Sequence, residues 1–169
     1  MSAVAWDSDA RMTLASRPGR WSAACLLAAL AAITFNARFA IGLNNSASLP
    51  HRVFLIHKGE PPARGQYVAF RWPGGGPYPA GATFVKVLAG VPGDTVTRAE
   101  RDFFVNGGFA GTAKTRSRSG AALRAGPTGL IPPGRYYVRA SHPDSLDSRY
   151  DLAGWIAPEQ IIGRAYALF

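Results

Sequence analysis

The sequence predicts a mainly β protein, in which one apolar helix near the amino terminus precedes an antiparallel β domain. The chain has 169 residues, enough for one domain plus accessory segments, and it contains 19 Gly and 13 Pro. Because both residues weaken helix interiors, this content argues against a helical bundle. Beyond residue 43 the apolar residues form short runs separated by turn residues, a pattern typical of strands.

The amino-terminal apolar run starts at Trp21 and contains no charge, Pro or Gly over its first 15 residues. At about 1.5 Å per residue that length is short of the ~30 Å hydrocarbon core, so we extend the predicted membrane segment to residues 21–43. This extension includes Arg38, whose side chain can reach the far interface. A cleaved signal peptide, with small residues at Ala37 and Ala40, and a buried core helix are the alternatives. The core helix is disfavoured because the run has no polar face.

The charges around the apolar run predict its orientation. Arginines at positions 11, 17 and 20 precede the run, and only Arg38 follows it closely. This bias predicts an amino terminus in the cytoplasm. We therefore predict a cytoplasmic tail over residues 1–20, a transmembrane signal anchor over residues 21–43 and a β-rich domain over residues 44–169 in the periplasm. The protein would cross a bacterial inner membrane once, and the lipid of that membrane is an expected partner.

Short apolar runs predict the strands of the β domain. They are Arg52–His57, Gln66–Trp72, Thr83–Ala89, Asp102–Thr112, Gly134–Ala140 and Ile161–Leu168. The fourth run contains Asn106-Gly107 between apolar residues, which is a strong hairpin signal. Residues 114–129 show no clear period and are predicted to form a loop.

The formal net charge is +9, and the cations are concentrated where acids are absent. No acidic residue occurs over residues 103–143, and the cations of that stretch are Lys114, Arg116, Arg118, Arg124, Arg135 and Arg139. Such a stretch favours lipid head groups or nucleic acid, and its simpler interpretation is a solvated, mobile basic loop. A nucleic-acid binder interleaves aromatic residues with its cations. Lys114–Arg124 has no aromatic residue, so we expect no nucleic-acid partner.

The cysteine and histidine content argues against metal and disulfide chemistry. Cys25 is the only cysteine, so the chain can form no internal disulfide and no cysteine cluster. The three histidines, at positions 51, 57 and 142, lack the close pairing expected of a zinc site on a helix. We therefore expect neither a metal nor another cofactor.

One lysine conflicts with the usual pattern of a strand. Side chains alternate along Thr83–Ala89, so Lys86 shares one face with Phe84 and Leu88, and the opposite face is also apolar. A lysine in such a strand is partly desolvated, which lowers its pKa from ~10.4 and suits it to act as a general base. The alternative is a lysine at a strand edge whose ammonium reaches solvent.

Two short boxes carry further candidate groups. Ser46-Ala-Ser48-Leu-Pro50 follows the apolar run directly and contains two serines, two residues apart. Ser145-Leu-Asp147-Ser-Arg149-Tyr150 lies near the carboxyl end. Each pattern alone is common in surface turns.

In this order, the two boxes and the lysine strand resemble the signal peptidase I family, from about residue 44 to the carboxyl end. The nucleophile box of that family is Ser-x-Ser-x-Pro, matched by residues 46–50. Its base box places Lys before Val/Leu-Pro-Gly-Asp, matched over residues 86–94, and its last box is Ser-x-Asp-Ser-Arg, matched over residues 145–149. Many members have Gly-Asp-Asn before the last box, where this chain has Arg-Ala-Ser-His at 139–142. That departure favours the conjugative, TraF-like branch, whose members process pilins.

The resemblance implies a membrane-anchored serine endopeptidase with a Ser/Lys dyad. A serine hydroxyl needs a base to take its proton, so Ser48 would attack the peptide carbonyl while neutral Lys86 accepts that proton. The Ser48 backbone N–H and the Ser46 hydroxyl would stabilise the oxyanion. Ser145 would orient the Lys86 ammonium.

The resemblance leaves the role of the remaining acidic residue open. Asp147 either forms a supporting ion pair with Arg149 or takes a more direct catalytic part, as assigned in the TraF-like branch. The expected substrates are exported precursors, including a pilin, bound as extended strands. Hydrolysis and cyclisation of the pilin would use the same residues.

Two rival interpretations remain. One is a triad of His57 or His142 with Ser48 and Asp147, since triads are defined by geometry rather than by spacing. The other is a non-catalytic, membrane-tethered β domain of a conjugation or secretion apparatus, in which the basic stretch binds its partner. The second accounts for the net charge but not for the joint presence of the three boxes.

Overall fold

The structure, a computed structural model, describes residues 19–169, so the predicted tail of residues 1–20 lies outside the described residues except for its last two. The described chain divides into two compact units, with the boundary in the sequence between Phe35 and Asn36. The described residues of the first unit, 19–35, are helical, and the second unit contains the strands of the described chain.

A single α-helix, α1, spans Gly19–Arg38. Its 20 residues correspond to about 30 Å at 1.5 Å per residue, the thickness of a hydrocarbon core. The stretch Trp21–Arg38 is exposed and is long and apolar enough to cross a membrane, a property that it shares with signal sequences. The helix therefore fits the predicted apolar helix near the amino terminus.

The helix ends earlier than the predicted membrane segment. Residues 39–43, which the sequence analysis assigned to the segment 21–43, form the first strand, Phe39–Leu43. The backbone of this strand pairs in antiparallel register with the second strand, from Phe39 opposite His57 to Leu43 opposite Val53. Pairing with residues 10 to 18 positions away thus accompanies the end of the helix at Arg38.

Ten strands build the second unit. They are β1 Phe39–Leu43, β2 Val53–Lys58, β3 Tyr67–Arg71, β4 Thr83–Gly90, β5 Thr95–Ala99, β6 Asp102–Val105, β7 Gly108–Thr112, β8 Gly129–Leu130, β9 Tyr137–Arg139 and β10 Ile161–Ala167. Six form a sheet in the order β1-β2-β10-β3-β4-β9, and four form a second sheet in the order β7-β6-β5-β8. All pairings are antiparallel, which confirms the predicted mainly β fold.

The predicted hairpin is present between β6 and β7. Asn106 and Gly107 form its turn with φ values of 49° and 78°, which Asn and Gly adopt more readily than other residues. Residues 114–129, predicted to form a loop, contain no strand before β8 begins at Gly129. Within this loop Arg116 forms an isolated antiparallel bridge with Ala122.

The turn after β4 is fixed by one buried carboxylate. Asp94 accepts hydrogen bonds from the Val91 N–H, the Asn106 amide and the Arg64 guanidinium, at 2.8, 2.8 and 2.6 Å. Burial raises the pKa of Asp94, but these donors outweigh it and the pKa lies below its ordinary value. Within the same turn, a Cβ on Gly90 would come within 2.6 Å of the Ile131 side chain. The end of β4, the strand that carries Lys86, is therefore tied to both sheets.

Candidate active site

Four of the six predicted site residues line one open cleft of about 430 Å³: Ser46, Ser48, Lys86 and Ser145. The loop after β1 supplies the two serines, β4 supplies the lysine, and the turn after β9 supplies Ser145. Asp147 and Arg149 are not part of the cleft lining, and they are 1% and 2% exposed. The fold thus brings together residues that lie up to about a hundred positions apart.

The loop that carries Ser48 is organised by Asn44, a residue that the sequence analysis assigned no role. Its side-chain amide donates to the carbonyls of Leu49 and His51 at 3.4 and 3.0 Å, and its N–H donates to the Arg52 carbonyl at 2.8 Å. Its side-chain oxygen accepts from the Ser46 N–H at 3.3 Å. An Asn two residues before a Ser is a common turn former, and this was the signal available in the sequence. Asn44 therefore closes the loop around the serines.

The two serine hydroxyls contact each other. Ser46 Oγ lies 2.9 Å from Ser48 Oγ and 2.8 Å from Asn44 Oδ1. Since a hydroxyl has one proton, Ser46 donates to only one of these oxygens at a time. Ser48 is 6% exposed, and its N–H points to Ser46 Oγ at 3.4 Å. In this arrangement Ser46 is coupled directly to the predicted nucleophile.

Lys86 is buried in the middle of β4. It pairs with Val68 of β3 in the sheet register, and its side chain is 5% exposed with the ammonium 5.6 Å from the centre of the Phe84 ring. Burial lowers the pKa of Lys86 to about 8, an effect that the Asp147 carboxylate opposes and the Arg149 guanidinium reinforces. This confirms the desolvation predicted from the strand pattern. At pH 7 a lysine with this pKa is neutral in about one molecule in ten, far more often than an ordinary lysine.

Ser145 contributes a buried hydroxyl to the same cleft. It is 5% exposed, and its Oγ has no hydrogen-bond partner within residues 19–169. Lys86 likewise donates no hydrogen bond within that range, although both residues line the cleft. A buried hydroxyl without a partner is costly, which indicates a group available to a neighbour or to a bound molecule.

Asp147 and Arg149 form a buried, bidentate ion pair. Arg149 Nε donates to Asp147 Oδ1 and its terminal nitrogen donates to Oδ2, both at 2.8 Å. Asp147 Oδ2 also accepts the Ala140 N–H at 2.9 Å. Arg149 reaches further, donating to the Thr112 carbonyl at 3.0 Å and to the Ser145 carbonyl at 3.3 Å. The pair ties the Ser145 turn to β7 and to the end of β9.

The histidines do not assemble the rival triad. His57 Nδ1 lies 2.7 Å from Glu60, and His57 is not part of the cleft lining. His142 lines the cleft, but its Nδ1 accepts the Asp144 N–H at 3.2 Å. Both oxygens of Asp147 are occupied by Arg149 and by backbone N–H groups. Within residues 19–169, no hydrogen bond joins a histidine ring to Asp147.

A pair of serines and a buried lysine thus share one cleft of an antiparallel β domain. Comparison with known proteins identifies the class of protein. The family described as "Signal peptidase, peptidase S26" matches residues 19–169, so the chain belongs to that family of serine peptidases, which process exported precursor proteins.

Comparison with solved structures also found a match. Signal peptidase I from Enterococcus faecalis V583 is 24% identical to this chain, with a TM-score of 0.42. The match covers 65% of this chain and 98% of that one. The comparison with curated proteins found no match.

The lowered pKa of Lys86 predicts a specific pH dependence of stability. From about pH 8 to pH 10.5, Lys86 is mostly protonated in the unfolded chain and mostly neutral in the native chain. The contribution of Lys86 to the free energy of unfolding therefore rises with pH over this range. Lys86→Met carries no charge to desolvate and lacks this contribution. Below pH 8 the variant should be more stable than the wild type, by at most about 3 kcal/mol.

Denaturant unfolding of both proteins in detergent, from pH 7 to pH 10.5, measures this difference. We expect the advantage of Lys86→Met to be nearly constant up to about pH 8 and to shrink from there to pH 10.5. A stability difference that stays constant over the whole range would contradict a desolvated Lys86.

Proposed function

We propose that this protein is a membrane-anchored serine endopeptidase in which Ser48 is the nucleophile and Lys86 the general base. The observation that carries this proposal is the burial of Lys86, with a pKa of about 8, in the cleft that also contains Ser48. An ordinary lysine, with a pKa near 10.4, is almost fully protonated at neutral pH and cannot accept a proton. Burial removes that obstacle without any metal or cofactor.

In the first half of the reaction, Ser48 Oγ attacks the carbonyl carbon of the peptide bond and transfers its proton to neutral Lys86. The Lys86 ammonium then protonates the leaving amine, and an acyl-enzyme remains on Ser48. The Ser145 hydroxyl, which has no partner among the described residues, supports this cycle by accepting a hydrogen bond from the ammonium. Water, or an amine of the substrate, releases the acyl group in the second half.

The oxyanion needs donors that are in place before its charge develops. The Ser48 N–H and the Ser46 hydroxyl supply them. Ser46 starts from a hydrogen bond to Ser48 Oγ or Asn44 Oδ1 and turns its proton to the oxyanion when the carbonyl enters. The Asn44 amide, held by two backbone carbonyls, keeps the loop in place as this happens.

Asp147 acts by position rather than as a base in this proposal. Its carboxylate is buried and saturated by Arg149 and the Ala140 N–H. Its charge raises the pKa of Lys86 and so limits the fall that burial causes. The pair therefore sets both the place of the Ser145 turn and the basicity of Lys86.

The substrate is an exported precursor bound in extended form. The cleft is lined by the end of β1, at Gly42 and Leu43, and by Thr83–Lys86 of β4. β1 is an edge strand of the larger sheet, and edge strands pair readily with extended peptides. The sequence at residues 139–142 supports the TraF-like branch, so we propose a conjugative pilin as substrate, cleaved and optionally cyclised by its own amino terminus.

We further propose that α1 anchors the enzyme in a bacterial inner membrane. Residues 1–20 would lie in the cytoplasm, and residues 44–169 would form the peptidase domain in the periplasm. The arginines that precede Trp21 support this orientation. Exported precursors would then meet the cleft after they have crossed the membrane.

The two serines should differ in mutagenesis. Ser48→Ala removes the nucleophile and should abolish processing of a precursor, whereas Ser46→Ala removes one oxyanion donor and should reduce turnover by about 10²–10³. The measurement is the rate of precursor cleavage by variants of equal thermal stability. If Ser46→Ala were inactive and Ser48→Ala stayed active, the assignment of the nucleophile would be wrong.

The topology is tested with reporters fused after Phe169. A reporter that works only after export should be active, and one that works only in the cytoplasm should be silent. Activity of the cytoplasmic reporter would contradict the proposed orientation. Amino-terminal sequencing that starts near residues 36–41 would show cleavage of the segment instead of anchoring.

A further inference from the structure

The basic segment that no catalytic role accounts for forms a short hairpin arm, residues 114–124. Backbone hydrogen bonds run from Ser117 to Ala121 and from Leu123 to Thr115, both at 2.8 Å. The tip is a turn closed by the Gly120 N–H on the Ser117 carbonyl at 3.0 Å. These bonds place Arg118 in the turn at the end of the arm.

The base of the arm is clamped to the rest of the β unit. Arg101 donates from Nε to the Ala113 carbonyl at 2.9 Å, and its terminal nitrogen donates to the Leu123 carbonyl at 3.2 Å and to the Lys114 carbonyl. The Asp151 N–H donates to the Arg124 carbonyl at 3.1 Å. The arm is thus attached on both of its strands, and the position of its tip is defined by the fold.

Three of the four cations on the arm already have partners. Lys114 pairs with Asp144, Arg116 donates to the Gly120 carbonyl at 2.9 Å, and Arg124 lies 3.4 Å from Asp151. Arg118 has neither a hydrogen bond nor an ion pair within residues 19–169, and its side chain is exposed. It is therefore the cation of the arm without a direct polar contact, although its charge helps, after the Lys114 hydrogen bond, to lower the pKa of Asp144.

Arg118 lines the same cleft as Ser48 and Lys86. Its neighbours there are His142 and Asp144. Asp144 is the acidic residue in the cleft lining, and its carboxylate bonds directly to Lys114 rather than to Arg118. Its pKa is lowered first by the Lys114 hydrogen bond and further by the charges of Lys114, His142 and Arg118. The cleft therefore contains an exposed guanidinium that makes no hydrogen bond or ion pair among the described residues.

We propose that Arg118 forms an acid-recognising subsite, which selects exported precursors with a Glu or Asp side chain within a few residues of the bond to be cleaved. The inference rests on the proposed peptidase function for its substrate. A guanidinium binds a carboxylate through two parallel hydrogen bonds, so Arg118 supplies direction as well as charge. An acidic peptide is favoured over lipid because Arg118 faces the cleft that contains the reactive serine and lysine.

The test measures peptide binding, so it does not depend on cleavage. The full-length Ser48→Ala protein in nonionic detergent is titrated into twelve-residue Ala/Ser peptides that carry one Glu, or one Gln, moved stepwise along the peptide. Each peptide has an uncharged fluorophore, and binding is read as fluorescence anisotropy. The same peptides are then tested with Arg118→Gln, and with Arg124→Gln as a matched control that removes one charge from the same arm.

We expect Glu peptides to bind about fivefold more tightly than Gln peptides at one or two adjacent positions, an advantage that weakens with salt. Arg118→Gln should abolish that preference, Arg118→Glu should reverse it, and Arg124→Gln should leave it unchanged. Equal binding of Glu and Gln peptides by the protein with Arg118 intact, or no peptide binding at all, would overturn the inference.

Further outcomes separate this inference from a lipid-binding role of the arm and from the peptidase proposal itself. If Arg118→Gln instead reduced binding of monomeric dihexanoyl phosphatidylglycerol, with no effect on peptides, the arm would serve anionic lipid and the inference would be overturned. If the protein prefers Glu peptides but its wild type never cleaves a precursor, the peptidase proposal is contradicted and the subsite stands. If the wild type cleaves a precursor but shows no charge preference, the subsite is contradicted and the peptidase proposal stands.

Discussion

The burial of one ammonium group, that of Lys86, is the constraint on which the rest of the site depends. A strand that is apolar on both faces holds this lysine at 5% exposure and lowers its pKa to about 8. Burying a cation costs free energy, so Lys86 lowers the stability of the native state at its position in the interior strand β4. The tightly held turn at Asp94 fixes the end of β4 and keeps the lysine in that place.

The polar groups around Lys86 are of two kinds, which differ in how completely their hydrogen-bonding capacity is used. The cleft residues, Ser46, Ser48 and Ser145, have hydroxyls that can exchange partners, whereas Asp147 and Arg149 are saturated by each other and by backbone groups. In the mechanism that we propose, the groups that transfer or stabilise charge are therefore the loosely bonded ones, and the groups that position them are fully bonded. This contrast is what we expect of a preorganised site.

The sequence predicts the mainly β fold, the β6–β7 hairpin and the desolvation of Lys86, because these depend on local patterns of turn and apolar residues. The sequence does not predict features that depend on pairing between residues far apart in the chain. The apolar sequence continues past Arg38, and only pairing with β2 turns residues 39–43 into a strand. The Asn-x-Ser spacing indicates a turn at Asn44, but it does not indicate the carbonyls five to eight residues away that Asn44 also binds. The arm at residues 114–124 has no apolar periodicity that would predict it, and hydrogen bonds with Arg101 and Asp151 hold its base.

The Lys86→Arg variant tests the central claim most directly, because arginine keeps the positive charge but cannot release its proton. Thermal melts select conditions in which variant and wild type are equally folded, and precursor processing is then measured from pH 6 to pH 10. The account predicts that wild-type processing rises with pH through an apparent pKa of about 8 and that Lys86→Arg is inactive throughout. A folded Lys86→Arg protein that processes its precursor at near wild-type rate would contradict it.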